Sequence, residues 1–146
     1  MSAWLERVRA ARAASDPAPL LEAIPYARFM GLSAGLVEGE LRCSMRFSDH
    51  LIGDSSLPAL HGGATGALLE SVSILTVLWR SETARLPKTI NVTVDYLRRG
   101  RARDTFAAAS LTKAGRRVAS VRALAWQVDR EAPIAAADAH FLLTPE

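Results

Sequence analysis

The stretch His61-Gly62-Gly63-Ala64-Thr65-Gly66-Ala67-Leu68-Leu69-Glu70 holds the residues of this chain best suited to chemistry. A glycine pair opens a nearly all-apolar run, and one carboxylate follows nine positions after the histidine. The first N–H groups of a helix lack intrahelical acceptors and carry partial positive charge, so a helix starting here can stabilise an oxyanion. Glycine lets a ligand carbonyl come close to that backbone. A carboxylate among Leu68, Leu69, Val72 and Ile74 is expected to be buried, which is costly without a partner. Such a group is suited to act as a general base or a nucleophile.

Other chemistries fit less well. Ser71 and Ser73 lie in no Gly-x-Ser-x-Gly elbow, so a Ser-His-Asp hydrolase is not expected. The lone Cys43 excludes an internal disulfide and a cysteine-based zinc site. His50, His61 and His140 have no metal-ligand spacing. His140 reads as a satisfied sheet histidine.

The glycine pair must be held by the elements around it. Residues 2–14 read as a helix with a serine cap, broken at Asp16-Pro17. Pro17 to Ala23 allow a short second helix. Tyr26 to Gly31 read as a compact turn. Leu32–Glu38 and Leu41–Phe47 read as a hairpin around Glu38-Gly39-Glu40. Residues 49–60 have turn composition. One long helix is predicted from Gly63 to about Glu82, apolar all round and therefore mostly buried. Its length and its Glu70, Ser71 and Ser73 suit a core helix better than a membrane span. Ile90, Val92, Val94 and Tyr96 alternate with polar residues, a strand period. Thr105–Thr112 and Val118–Val128 form a second hairpin, and Ile134–Leu143 a last strand. Segregated helices and strands imply an α+β class with a largely antiparallel sheet. Ala107, Ala108, Ala109, Ala119, Ala123 and Ala125 are expected to face the helix.

At 146 residues, with 49% hydrophobic and 23% charged residues, the chain can build one sizeable core. Net charge is +3, unevenly spread. Arg98, Arg99, Arg101 and Arg103 form one cluster, and Lys113, Arg116 and Arg117 another. They are either solvated turns at strand ends or a site for phosphates. Nucleic acid is not expected as a partner, because no aromatics interleave with the basic residues. Trp4-Leu5 is followed by Glu6, Arg7 and Arg9 with no apolar leader, so a cytoplasmic location is expected, with no membrane partner.

Four segments carry a family resemblance: Leu60-His61-Gly62-Gly63 with Glu70, Thr89 to Arg98, Gly115-Arg116-Arg117-Val118-Ala119, and Ala136 to Leu143. The chain resembles the hotdog-fold acyl-CoA thioesterases, in particular the phenylacetate-degradation type. The resemblance implies one long central helix wrapped by a curved, largely antiparallel sheet of five or six strands. It spans residues 31–146, with residues 1–30 as an N-terminal helical extension. It implies a homodimer or homotetramer with active sites at the dimer interface, and no cofactor. Glu70 would be the family's acid, the Gly62 N–H its oxyanion donor, and Thr89 a further active-site hydroxyl. Many members have an Asn six residues before the His. Here that position is Ser55, so Asp54 or Ser55 substitutes for it, or the chemistry is weaker. His61 is read as structural, donating to a backbone carbonyl near the helix start, and with Gly63 it would border the substrate. Arg98, Arg99, Arg101, Arg116 and Arg117 are candidates for the phosphates of CoA.

The implied reaction is hydrolysis of an acyl-CoA thioester to acid and CoA. The alternative is a non-catalytic acyl-CoA or acyl-carrier binding module on the same fold. A hotdog-type hydratase would need an Asp followed five residues later by a His before the helix, and that pair is absent. The acyl group depends on which of Phe29, Met30, Leu57, Trp79 and Phe141 line the pocket.

Overall fold

Residues 2–144 are described in a computed structural model of the chain. Ser2 caps the first helix, α1 (Ala3–Ala13), by accepting from the Leu5 N–H at 3.1 Å. Two short helices follow, α2 (Ala18–Glu22) and α3 (Pro25–Phe29). The expected turn at Tyr26–Gly31 is thus mostly helix. Pro25 at its first position supplies a preset φ and loses no needed donor. Leu5, Val8, Ala11, Leu20, Leu21 and Ala27 are buried. All but Leu5 belong to the main core cluster, so the N-terminal helices share one core with the sheet.

Strands β1 (Leu32–Val37) and β2 (Glu40–Met45) form the first hairpin. The segment expected to be all turn contains a one-turn 3-10 helix (Asp49–Leu51) and a small ladder of β3 (Ile52–Asp54) with β4 (Ala59–Leu60). The long helix α4 (Gly62–Arg80) comes next. Then follow β5 (Lys88–Tyr96), β6 (Thr105–Ala114), β7 (Val118–Trp126) and β8 (Ala135–Leu142). The six long strands make one antiparallel sheet in the order β1-β2-β6-β7-β8-β5, so β1 and β5 are its edges.

Helix α4 crosses the inner face of this sheet, packing chiefly on β6 and β7. Ala107, Ala109, Ala119, Ala123 and Ala125 point inward with Ala135, Ala137 and Ala139. Alanine there lets the helix lie close to the strands, and Leu68, Leu69, Val72, Leu75 and Leu78 fill the remaining space at 0% exposure. Ala108, expected to face the helix, lies on the outer face, since it pairs with Arg42 and alternates with Ala107. The helix is long and apolar enough to cross a membrane by composition, yet 56% of that window is buried within the fold. Arg12 on α1 donates to the Leu78 and Ser81 carbonyls, each at 2.8 Å, and so satisfies the C-terminal end of α4.

The loop between β7 and β8 is fastened from the outer face. Arg130 forks onto both oxygens of Glu40, at 2.6 and 2.8 Å, while its guanidinium lies 4.7 Å from the Trp126 ring centre. Arg42 donates to the same carboxylate at 2.8 Å and also faces Trp126. The Arg130 hydrogen bond, aided by Arg42 against a burial cost, holds the Glu40 carboxyl down at about 2. A depressed carboxyl contributes stability that is full above its ordinary range and is lost as pH falls through about 2. Glu40→Gln should therefore abolish this acid-sensitive part of the stability, and urea unfolding from neutral pH down to about 2 checks it. At neutral pH the variant should lose about 1 kcal/mol or less, because the pair is partly exposed.

Candidate active site

The first turn of α4 decides what the glycine pair can do. His61 is the N-cap, and its Nδ1 accepts the Gly63 N–H at 2.8 Å. The expected donation from His61 to a carbonyl is thus reversed: the ring is an acceptor. The Ala64 and Thr65 N–H groups both turn back to the His61 carbonyl, at 2.9 and 3.4 Å. Of the four orphan donors of this helix end, the Gly62 N–H alone has no acceptor among the described residues. His61 itself is fixed by its N–H on the Leu51 carbonyl at 2.8 Å. Gly53 lies against it so closely that a Cβ there would meet His61 Cα at 2.8 Å.

A stripe of α4 at i, i+4 spacing runs Gly62, Gly66, Glu70, Ile74 and is only half-buried. It faces edge strand β5. Tyr96 at the end of β5 sits in the glycine notch: its hydroxyl donates to the Gly62 carbonyl at 2.7 Å. A Cβ at Gly62 would lie 3.3 Å from that ring, and one at Gly66 3.5 Å from the hydroxyl. Two turns along, Thr89 at the start of β5 donates its hydroxyl to Glu70 Oε2 at 2.7 Å. The pairing of Glu70 with Thr89 is therefore a contact in the structure. Burial of Glu70 among leucines is not: Leu68, Leu69 and Val72 turn inward, while Glu70 lies on the open stripe. Its Oε1 has no partner among the described residues and stays available to a water or an acyl carbon.

Asp54 and Ser55 lie apart from this row. Asp54 Oδ1 accepts from the Ser56 N–H at 2.9 Å and the Ser56 hydroxyl at 2.6 Å, and these bonds hold its carboxyl below the usual range. Ser55 lines a separate hollow with Phe47, Ile52 and Pro58. Among the described residues neither hydrogen-bonds to Gly62, Glu70 or Thr89.

The two basic clusters lie at opposite ends of the sheet. Arg116 and Arg117 occupy the β6–β7 turn, next to the strand ends at Val118, Leu142 and Lys88. Arg98 and Arg99 line a cleft of about 460 Å3 with Gly62, Thr65 and Tyr96. The backbone of this arginine loop is fastened on three sides. The Ile134 carbonyl accepts the Leu97 and Arg98 N–H groups, and the Gly100 carbonyl accepts that of Leu60. The Gln127 amide pairs with both the N–H and the carbonyl of Arg101, at 2.9 Å each. Gly100 packs so tightly that a Cβ would meet Leu60 and Ile134 at 3.1 to 3.3 Å. The side chains of Arg98, Arg99, Arg101 and Arg103 form no ion pair among the described residues.

Tyr96 and Gln127 are the contributors that sequence reasoning missed. The Gly62-Gly66-Glu70 stripe was a readable sign that α4 receives a bulky side chain beside its carboxylate. Gln127 lies 26 residues from the loop it holds and leaves no local sign.

Comparison with known proteins places this geometry. Residues 54–142 match the family model described as the acyl-CoA thioesterase N-terminal domain. No curated protein matches the chain. Among solved structures, a protein from Chromobacterium violaceum is 40% identical, with 95% of this chain and 97% of that one covered and a TM-score of 0.75. A putative thioesterase from Ralstonia eutropha, described as phenylacetic acid degradation-related, is 24% identical over 85% of this chain and 96% of that one, with a TM-score of 0.74. A Bacillus halodurans protein crystallised with CoA is 16% identical over 97% and 93%, with a TM-score of 0.74. With the family model covering more than half of its length, over the helix and strands that carry Gly62, Glu70 and Thr89, the chain belongs to the acyl-CoA thioesterase N-terminal domain family and has a hotdog fold.

Proposed function

We propose that the protein hydrolyses an acyl-CoA thioester to a free acid and CoA. The observation that carries this reading is a Gly62 N–H with no acceptor among the described residues, on the same helix stripe as a carboxylate with one oxygen unpartnered among them. The Gly62 N–H polarises the thioester carbonyl and holds the oxyanion as it forms. Glu70 takes the proton of an attacking water and returns it to the leaving thiolate, or attacks the carbonyl carbon itself to form an anhydride that water then opens. Thr89 holds Oε2 and leaves Oε1 without a partner among the described residues. No step calls for a metal or an organic cofactor. The Bacillus halodurans protein crystallised with CoA supports a CoA thioester as the ligand.

One chain does not complete this site. Gly62 and Glu70 are eight residues apart, about 12 Å along the helix axis. A single thioester needs its oxygen within about 3 Å of the donor and its carbon within about 3.5 Å of the attacking atom. Strand β5 offers the missing half. It is an edge strand with exposed Ile90 and Tyr96, Gly62 lies by its end, and Glu70 lies by its start. Antiparallel pairing of β5 with its copy sets the Glu70 end of one protomer beside the Gly62 end of the other. Each dimer then has two sites, each built from both chains, and the edge is covered.

The Arg98 and Arg99 side of the cleft suits the phosphates of CoA, with Arg101 beside it. A binding module without catalysis would keep this cleft and have no use for the Glu70–Thr89 pair. In the composite site the role of the missing Asn falls to Asp54 or Ser55, or the chemistry is weaker.

Three outcomes are expected. Sedimentation at micromolar concentration should show a dimer or a tetramer of 15.7 kDa chains; a monomer alone would remove the composite site. Arg98→Ala and Arg101→Ala should raise KM for acyl-CoA, more at low salt than at high salt. An equal rise for a pantetheine thioester, which lacks the nucleotide, would refute the phosphate assignment. Glu70→Gln should stay folded and lower kcat by about two to four orders of magnitude with little change in binding. Free-thiol release checks this, and a near wild-type rate would place the base elsewhere, with Asp54 the next candidate.

A further inference from the structure

Opposite the arginine cleft, the first turn of α4 borders a second hollow, of about 350 Å3. Its wall is aromatic and exposed. Tyr26 and Phe29 stand three residues apart on one face of α3, 55% and 65% exposed, with ring centres 6.1 Å apart. The His50 ring lies 5.2 Å from Phe29. Met30, Leu51 and Ala64 are buried and make an apolar floor. A lone exposed aromatic is ordinary, but three rings gathered over an apolar floor mark a binding surface. The wall comes from residues 26–50, which precede the segment matched by the family model.

We infer that this hollow takes the acyl group of the substrate, and that it favours an apolar acyl group bulkier than acetyl. The inference rests on the thioesterase reading, which puts the thioester carbonyl at Gly62. From that point the two ends of the ligand have two hollows to enter. Gly62 and Thr65 open onto Arg98 and Arg99, whereas Gly63 and Ala64 open onto Phe29, Tyr26 and Met30. Phosphates are matched by the guanidinium groups of the first. An alkyl or ring-bearing acyl group is matched by the rings and the thioether of the second. Of the other side chains that could have lined an acyl site, Phe141 is fully buried in the core. Trp79 lies in a hollow at the far end of α4, and Leu57 lines neither hollow at the first turn.

The test compares acetyl-CoA with octanoyl-CoA in the wild type, Phe29→Ala and Tyr26→Ala, all as the full chain. Both side chains are largely exposed, so both variants should fold. The wild type should show a higher kcat/KM for octanoyl-CoA. Phe29→Ala should lower that value by about tenfold and leave acetyl-CoA within about twofold, with a smaller loss for Tyr26→Ala. Calorimetry with the inert thioethers S-octyl-CoA and S-ethyl-CoA reads the same preference without hydrolysis. Loss of S-octyl-CoA affinity in Phe29→Ala, in a protein that hydrolyses no thioester, would keep the acyl hollow and sink the hydrolase reading. Hydrolysis with an unchanged acetyl-to-octanoyl ratio in both variants would do the reverse. A change of oligomeric state in Phe29→Ala with no change in that ratio would assign the aromatic wall to a second copy of the chain and overturn the inference.

Discussion

Among the described residues the peptide N–H of Gly62 has no acceptor, because the acceptors that His61 offers are taken by the other donors of the turn. His61 receives the Gly63 N–H on its ring and those of Ala64 and Thr65 on its carbonyl. That arrangement holds only if His61 stays where Leu51 and Gly53 put it, and only if Tyr96 keeps its seat on Gly62 and Gly66. A side chain at 53 would collide with the His61 backbone. The small β3–β4 ladder therefore aims a helix terminus, although it adds little to the core. An orphan donor at a buried helix end would be a defect; at the mouth of a cleft it is open to an acceptor, as the proposed oxyanion role requires.

The sheet supplies the second constraint. Its inner face is lined with alanines so that α4 can lie close, and this closeness brings the half-buried stripe of the helix against β5. The contacts at the two ends of β5 differ in kind. At Tyr96 a ring meets glycine and locks a backbone; at Thr89 a hydroxyl meets a carboxylate and orients it. One strand thus positions both chemical groups, and it is a sheet edge that is free to pair. Edge exposure is a liability in a monomer. In the proposed dimer the same edge would bring one chain's carboxylate to another chain's helix terminus.

Much of this was legible in the sequence. The period-two run from Ile90 to Tyr96, the long apolar helix and the His-Gly-Gly start read correctly because each is encoded in neighbouring residues. What escaped depends on contacts distant in the chain or on elements too short for a period. The one-turn helix α3 and the ladder of three and two residues are such elements. The direction of the His61 hydrogen bond was not fixed by its position, since an imidazole can donate or accept. Glu70 looked buried because its sequence neighbours are leucines. On a helix, though, the neighbours that matter are three and four residues away, and these are Gly66, Ala67, Ser73 and Ile74. Asp54 looked like a spare carboxylate, but short polar side chains next to serine tend to bond their own backbone, and this one does.

The arginine loop joins the sheet to the first turn of α4. Runs of charge at strand ends are usually solvated turns, and such turns move. This one is tied by Ile134, Leu60 and Gln127, and the β7–β8 loop that presents Ile134 is itself held by the Glu40–Arg130–Trp126 cluster on the outer face. The backbone is hydrogen-bonded on three sides, while the guanidinium groups form no ion pair among the described residues. Internal salt bridges would have been the simpler way to settle four arginines in six positions. Fastening the main chain instead leaves their side chains at the side of α4 where Gly62 lies, which is what the proposed binding of CoA phosphates needs.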